Sequence, residues 1–186
     1  MDFKDRLIAH YGFTDSDWQE TLSRFEPVSF PAKSLFLEKG KVATRLGYLR
    51  KGLMRSFFYD DRANDITTHF FKQGTVVISM KSFNDQVPSR EFIIAMEDCE
   101  LDVITHERMM ALMEVVPAWR RIAKDVDESK FNSLTNRSIQ LQTLTASERY
   151  QLFMKKHPDI LRRVALKHIA SYLGIDIATL SRIRRS

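Results

Sequence analysis

The sequence predicts a mainly β unit introduced by short helices, then a long connecting helix and a small basic all-α unit. Three observations predict this order. Between Pro27 and Ile104 the chain breaks into short apolar or alternating runs separated by Gly, Pro, Lys and Asp, the mark of closely spaced strands. Beyond His106 the apolar period lengthens to that of helices. Charge also separates along the chain. Residues 1–112 carry 15 basic and 17 acidic side chains, a net of −2, whereas residues 113–186 carry 14 and 7, a net of +7.

The first 25 residues predict two helices, around DFKDRLIAHYGF and SDWQETLSRF, with Ser16 or Asp17 as cap of the second. From Pro27, the runs VSF, SLFL, TRLGYLRKG, LMRSFFYDD, DITTHFF, TVVI, REFIIAM and CELDVI predict strands of a sandwich or barrel. Asp60 and Asp61 followed by Arg62 and Asn64 predict a hairpin tip. Cys99 falls inside a strand and reads as a packed thiol. In the helical region, Met109, Met110, Leu112, Met113 and Val116 form a broad apolar surface before Pro117 breaks or restarts the helix. Such a stripe serves either internal packing or pairing with a second copy, and spacing alone does not choose. Thr145 and Glu148 have the spacing of a capping box.

The last twenty residues carry the most information. In LKHIASYLGIDIATLSRIRR, Leu166, Ile169, Ala170 and Leu173 share one helical face, and Ile177, Leu180 and Ile183 share a second. Gly174 supplies the turn between the two helices and Asp176 caps the second. If the second stripe faces inward, Ala178, Thr179, Ser181, Arg182 and Arg185 project outward. A helix with small residues first and a cation one turn later suits a major groove. Arg162, Arg163, Lys167, Arg184 and Arg185 are then placed to neutralise phosphate charge. The competing reading is a helical hairpin with a solvated basic face.

Other chemistry finds little support. The five histidines show no HExxH or comparable metal spacing, no serine sits in GxSxG, and the glycines form no phosphate loop. No cofactor, metal or catalytic role is expected. One cysteine, no secretory leader and no run long enough to cross a bilayer predict a cytoplasmic protein with no membrane partner.

KHIASYLGIDIATLSRIRR resembles the helix-turn-helix of the cyclic-AMP receptor protein and fumarate-nitrate regulator (Crp/Fnr) superfamily. FLEKGKVATRLGYLRKGLMRSFF and REFIIAMEDCELDVITHERM resemble early and final strands of its effector domain. The resemblance implies a cyclic-nucleotide-binding-like jelly roll over residues 1–106, a connecting and dimerisation region over 107–142 and a DNA-binding domain over 143–186. Double-stranded DNA and a second copy of the chain are the implied partners, and Met109, Met110, Leu112, Met113 and Val116 become candidates for the dimer interface. Thr179 and Arg182 fall at positions that relatives use on DNA, whereas Ile177 and Ala178 replace a usual arginine and glutamate. In the pocket, Ser79 falls where cyclic-nucleotide-responsive relatives have a ribose-binding glutamate. Ser89 falls at their phosphate-binding arginine, with Arg90 one place later. The resemblance therefore implies a degenerate effector pocket without tight cyclic-AMP binding, open to an unidentified small-molecule effector. The alternative function is a ligand-sensing or scaffolding protein that has lost specific DNA reading.

Overall fold

The computed structural model describes residues 3–185. Asp2, included in the first predicted helix, lies outside the described residues. Two helices lead, α1 (Phe3–Tyr11) and α2 (Asp15–Arg24). Thr14, one turn earlier than predicted, caps α2. Its hydroxyl accepts from the Asp17 amide and Asp17 returns the bond to the Thr14 amide, so Asp17 closes the box and does not start it.

Eight strands follow with one short helix among them: β1 (Glu26–Phe30), β2 (Leu35–Leu37), β3 (Arg45–Lys51), β4 (Leu53–Tyr59), β5 (Asp65–Lys72), β6 (Val76–Val77), α3 (Met80–Asp85), β7 (Phe92–Ala95) and β8 (Cys99–Thr105). They pair antiparallel in two four-stranded sheets, ordered β1-β8-β3-β6 and β2-β7-β4-β5, a jelly-roll-like sandwich. Leu49, Met54, Phe71, Ile93 and Leu101 interdigitate between them and are buried. The predicted hairpin tip joins β4 to β5, where the Asp60 carboxylate accepts from the amides of Arg62 and Asn64. Cys99 is buried, as read from its strand, and close packing there explains Gly52. An added Cβ at Gly52 would lie 2.5 Å from the Cys99 sulfur, and its φ of +104° also favours glycine.

Helix α4 (His106–Val115) ends before Pro117, and α5 (Ala118–Thr143) runs on for 26 residues. Here the structure corrects the expected dimer surface. Met109, Leu112 and Val116 are buried in the sandwich core, and Met113 packs against it; of the five candidates only Met110 is exposed. The core fills from this side because α4 leaves β8 directly and folds back on the sandwich. Apolar side chains left uncovered lie further on, along α5: Phe131, Leu134, Ile139 and Leu141.

The chain closes with α6 (Ala146–Lys156), α7 (Ile160–Arg163), α8 (Leu166–Leu173) and α9 (Ile177–Ile183). The Thr145–Glu148 capping box forms at the start of α6. These helices enclose a second core of Tyr150, Phe153, Ile160, Ile169, Leu173 and Leu180, to which the sandwich contributes Leu53 and Phe70. Phe70 lies 5.3 Å from the Tyr172 ring and 6.3 Å from Phe153, so the two units share an apolar seam.

Candidate nucleic-acid interface and effector pocket

Local chemistry sets the angle between α8 and α9. Gly174 takes the left-handed conformation (φ +62°, ψ +40°), its amide reaching back to the Ala170 and Ser171 carbonyls. Two residues on, the Asp176 carboxylate accepts from the Thr179 amide at 2.8 Å and caps α9; the Thr179 hydroxyl, and then this amide, hold its pKa below the usual carboxylate range. Ile169, Ala170, Leu173 and Ile175 then seat the pair on the second core, and Leu180 anchors α9 with no exposed surface.

Of the expected inward stripe on α9, Leu180 is buried and Ile183 partly buried, but Ile177 is 52% exposed. Ile177 stands at the exposed start of α9, whereas Ala178 and Arg182, four residues apart, share its outer face and are both exposed. Thr179 and Ser181 are half-buried beside them, and Arg184 and Arg185 are exposed just beyond. Arg182 donates to the Thr179 hydroxyl at 3.0 Å, which holds its guanidinium along the helix and within reach of an approaching ligand. Lys167 on α8 is exposed.

Arg163 is not available in the same way. Its guanidinium grips the Glu97 carboxylate through two nitrogens, lies 3.6 Å from Asp159, and has its pKa raised chiefly by the Glu97 bond. It ties α7 to the turn before β8, which corrects its assignment to phosphate. Sequence could not show this, because Glu97 stands 66 residues away.

The helical unit also docks on β5. The Thr67 amide donates to the Ser171 hydroxyl at 2.7 Å, and that hydroxyl donates to the Asp65 carbonyl at 2.9 Å. Arg137 of α5 donates to the carbonyls of Thr67, Thr68 and Tyr172 at 3.2, 3.1 and 2.8 Å, and its guanidinium lies 4.6 Å from the Tyr172 ring centre. Beneath them the Arg55 guanidinium chelates Asp65. His168 approaches the same carboxylate at 3.7 Å, but burial and the Arg55 charge outweigh Asp65 and push its pKa down to about 4. Near neutral pH this is therefore a contact of an uncharged imidazole.

On the other side of β5, a cavity of about 960 Å³ opens between β4, β5, α3, the turn before β7 and α5. The structure brings Ser79, Ser89 and Arg90 together on its wall. The two serines are buried, with hydroxyls 3.3 Å apart, and Ser89 also donates to the Glu91 carbonyl. Arg90 is exposed at the rim. Lys39 and Lys130 also line this cavity and were missed by sequence reading; no local motif marks a lysine on a long helix as reaching a pocket. His69 completes the wall, 4.7 Å from Phe71, and burial, then the nearby Lys130 charge, push its pKa down to about 3.

Residues 27–115 match the family described as the cyclic nucleotide-binding domain. Residues 27–115 carry this domain, and over most of its length the chain has the fold of solved structures that include a crp/fnr-family regulator. Similar solved structures include the c-di-GMP-responsive global regulator CLP of Xanthomonas campestris, at 17% identity and TM-score 0.74, covering 92% of this chain and 90% of that one. FixK2 of Bradyrhizobium japonicum superposes with a TM-score of 0.76 at 15% identity, over 87% of this chain and 83% of its own. A crp/fnr-family chain from Eubacterium rectale gives 0.73 at 13% identity, over 94% and 83%. No curated protein sequence matches. Within this fold α8 and α9 form a helix-turn-helix pair, and the cavity is lined by residues of the matched domain together with Lys130 and Leu134 of α5. Among the described residues no group of three His, Cys, Asp or Glu side chains is placed to hold a metal, and no helix is long and apolar enough to cross a membrane.

Proposed function

We propose that this protein is a homodimeric, sequence-specific DNA-binding transcriptional regulator of the Crp/Fnr type, without a catalytic role, whose effector pocket takes a small molecule other than cyclic AMP. The observation that carries the reading is the outer face of α9. It is capped by Asp176, anchored by the buried Leu180, and presents Ala178 and Arg182, with Arg184 and Arg185 beyond. Arg182 is suited to bidentate contact with guanine, and Lys167, Arg184 and Arg185 to phosphates. The positive excess of residues 113–186 supplies attraction for a polyanion.

Dimerisation is supported by α5. Phe131, Leu134 and Leu141 lie at spacings of three and seven, one helical stripe left largely exposed among the described residues. A twofold dimer places the two α9 helices in successive major grooves, roughly 34 Å apart, on an approximately palindromic site. The pocket reading rests on Ser79 and Ser89. They bond to each other and to backbone, and place neither carboxylate nor guanidinium where ribose and cyclic phosphate need them.

Selection of bound sequences from random duplexes tests the DNA reading. Enrichment of a palindrome is expected, with Arg182→Ala removing about 1–3 kcal/mol of preference for the selected site over a scrambled duplex. Lys167→Ala is expected to weaken both duplexes by similar factors. The first turn of α9 favours a second reading, a scaffold that no longer reads DNA, because Ile177 and Ala178 offer no hydrogen-bonding group to a base. Retention of duplexes with no enriched sequence would establish that alternative.

A further inference from the structure

The polar groups around the 960 Å³ cavity divide into two sets. The hydroxyls are spoken for. Ser56 bonds to Thr68 at 2.6 Å, Thr68 to the Glu91 carboxylate at 3.0 Å, Ser79 to Ser89, and Ser82 to the Val87 carbonyl at 2.6 Å. The cations are not. Lys39, Arg90 and Lys130 line the same cavity and make no ion pair or hydrogen bond among the described residues, whereas Lys81 lies 3.7 Å from Asp85. Glu91 is the only carboxylate on the described wall, already engaged by Thr68.

Lys130 is the informative member. It reaches in from α5, sits 4.9 Å from the Phe71 ring centre, and burial pushes its pKa below the usual lysine range, with the distant Glu91 opposing. A largely desolvated ammonium with no acceptor costs free energy in the empty cavity, and an incoming anion recovers that cost. Lys39 and Arg90, both exposed, stand at the mouth, where they raise the local concentration of anions. Between mouth and floor the wall is apolar, including Phe58, Met80, Val87 and Leu134.

We propose that this cavity binds an amphipathic organic anion, a small molecule with one acidic group paired to Lys130 and an apolar body against Phe58, Met80 and Leu134. This deepens the effector reading above. The satisfied hydroxyls leave a base or ribose few partners, while the unpaired cations and apolar wall suit an acid with a hydrocarbon or aryl body. Because Lys130 adjoins Phe131 and shares α5 with the uncovered stripe, the ligand also touches the helix assigned to dimerisation.

The test uses the full chain and two probes. The fluorescent anion 8-anilinonaphthalene-1-sulfonate is titrated into the protein and then displaced with decanoate, 1-decanol or cyclic AMP. Decanoate is expected to displace it at concentrations at least about tenfold below those needed for 1-decanol, with cyclic AMP ineffective. Lys130→Met, which keeps the apolar stem and removes the charge, is expected to weaken both anions about tenfold with unchanged circular dichroism. Phe131→Ser, on the exposed stripe, is expected to keep the preference for decanoate over 1-decanol. Equal displacement by 1-decanol, or unchanged affinity in Lys130→Met, would overturn the anion pairing. Preferential displacement by cyclic AMP would overturn the ligand class and the effector reading together. If Phe131→Ser alone abolished the signal, the dye would be on α5 and the assignment to the cavity would fail. None of these outcomes depends on whether α9 selects a DNA sequence.

Discussion

Replacing Arg137 with Met asks whether the two units of the chain are held together by charge or by shape. The guanidinium donates to three backbone carbonyls, Thr67, Thr68 and Tyr172, while its Nε is buried without a partner. Hydrogen bonds from a charged donor contribute roughly 1.5–3 kcal/mol each, so the three give a gross stabilisation of about 4.5–9 kcal/mol. Against this stands desolvation, which pushes the Arg137 pKa below the usual arginine range and costs several kcal/mol for a guanidinium taken out of water. Methionine restores the stem but neither the bonds nor the cation over Tyr172. The expected net loss is about 2–4 kcal/mol, concentrated where α8 meets β5. Urea unfolding followed in parallel by tryptophan fluorescence and far-ultraviolet circular dichroism reads it. Trp119 reports the sandwich core, whereas the dichroism reports helices of both units. In the native chain the two transitions are expected to coincide, and in Arg137→Met part of the helical signal is expected to melt at lower urea. Coincident transitions with a midpoint unchanged or raised would refute the reasoning, and would mean that apolar replacement of this charge is neutral or stabilising.

Leu180→Ala, at a fully buried site, should destabilise the helical unit by about 2–5 kcal/mol, whereas Ile177→Ser should change stability by less than about 0.5 kcal/mol; chemical denaturation of both variants checks the contrast. Affinity for any duplex should fall steeply as salt rises, because lysine and arginine contacts release counterions, and titrations at several ionic strengths measure the slope. Calorimetry should show no micromolar binding of cyclic AMP, since Ser79 and Ser89 supply neither of the charges it needs. Stability should decline as pH falls below about 6.5. His69 and His168 have folded pKa values near 3 and 4, so the unfolded chain takes up protons that the folded chain refuses, and their contribution is complete only above the unfolded value. Urea midpoints between pH 7.5 and 5 follow this loss, which should shrink in His168→Gln.

What the sequence disclosed depended on how far each determinant reaches along the chain. Gly174, Asp176 and the Thr145–Glu148 box act within a few residues, and the structure forms each as read. The alternation between Pro27 and Ile104 was enough for a sandwich or barrel, but the division into two sheets depends on pairings such as β1 with β8 that no local pattern encodes. The failures share that physics. A periodic stripe says which side chains are apolar without saying what stands opposite: Met109 and Met113 of α4 meet their own sandwich, and Ile177 is left 52% exposed. Arg163 looked free because its partner Glu97 lies in another element. Lys130 carries no local signal, since only the path of α5 past β5 brings it to the cavity.

Strand β5 ends its sheet, and an open strand edge is a template for pairing with other molecules. Here the edge is closed by side chains: Ser171 takes the Thr67 amide and the Asp65 carbonyl, and Arg137 takes the carbonyls of Thr67 and Thr68. The helical unit is therefore a guard against self-association of the sandwich as well as its neighbour. Removing residues 143–186 would strip Ser171 from this edge and bare the Phe70 surface beside it, leaving a sandwich prone to aggregate.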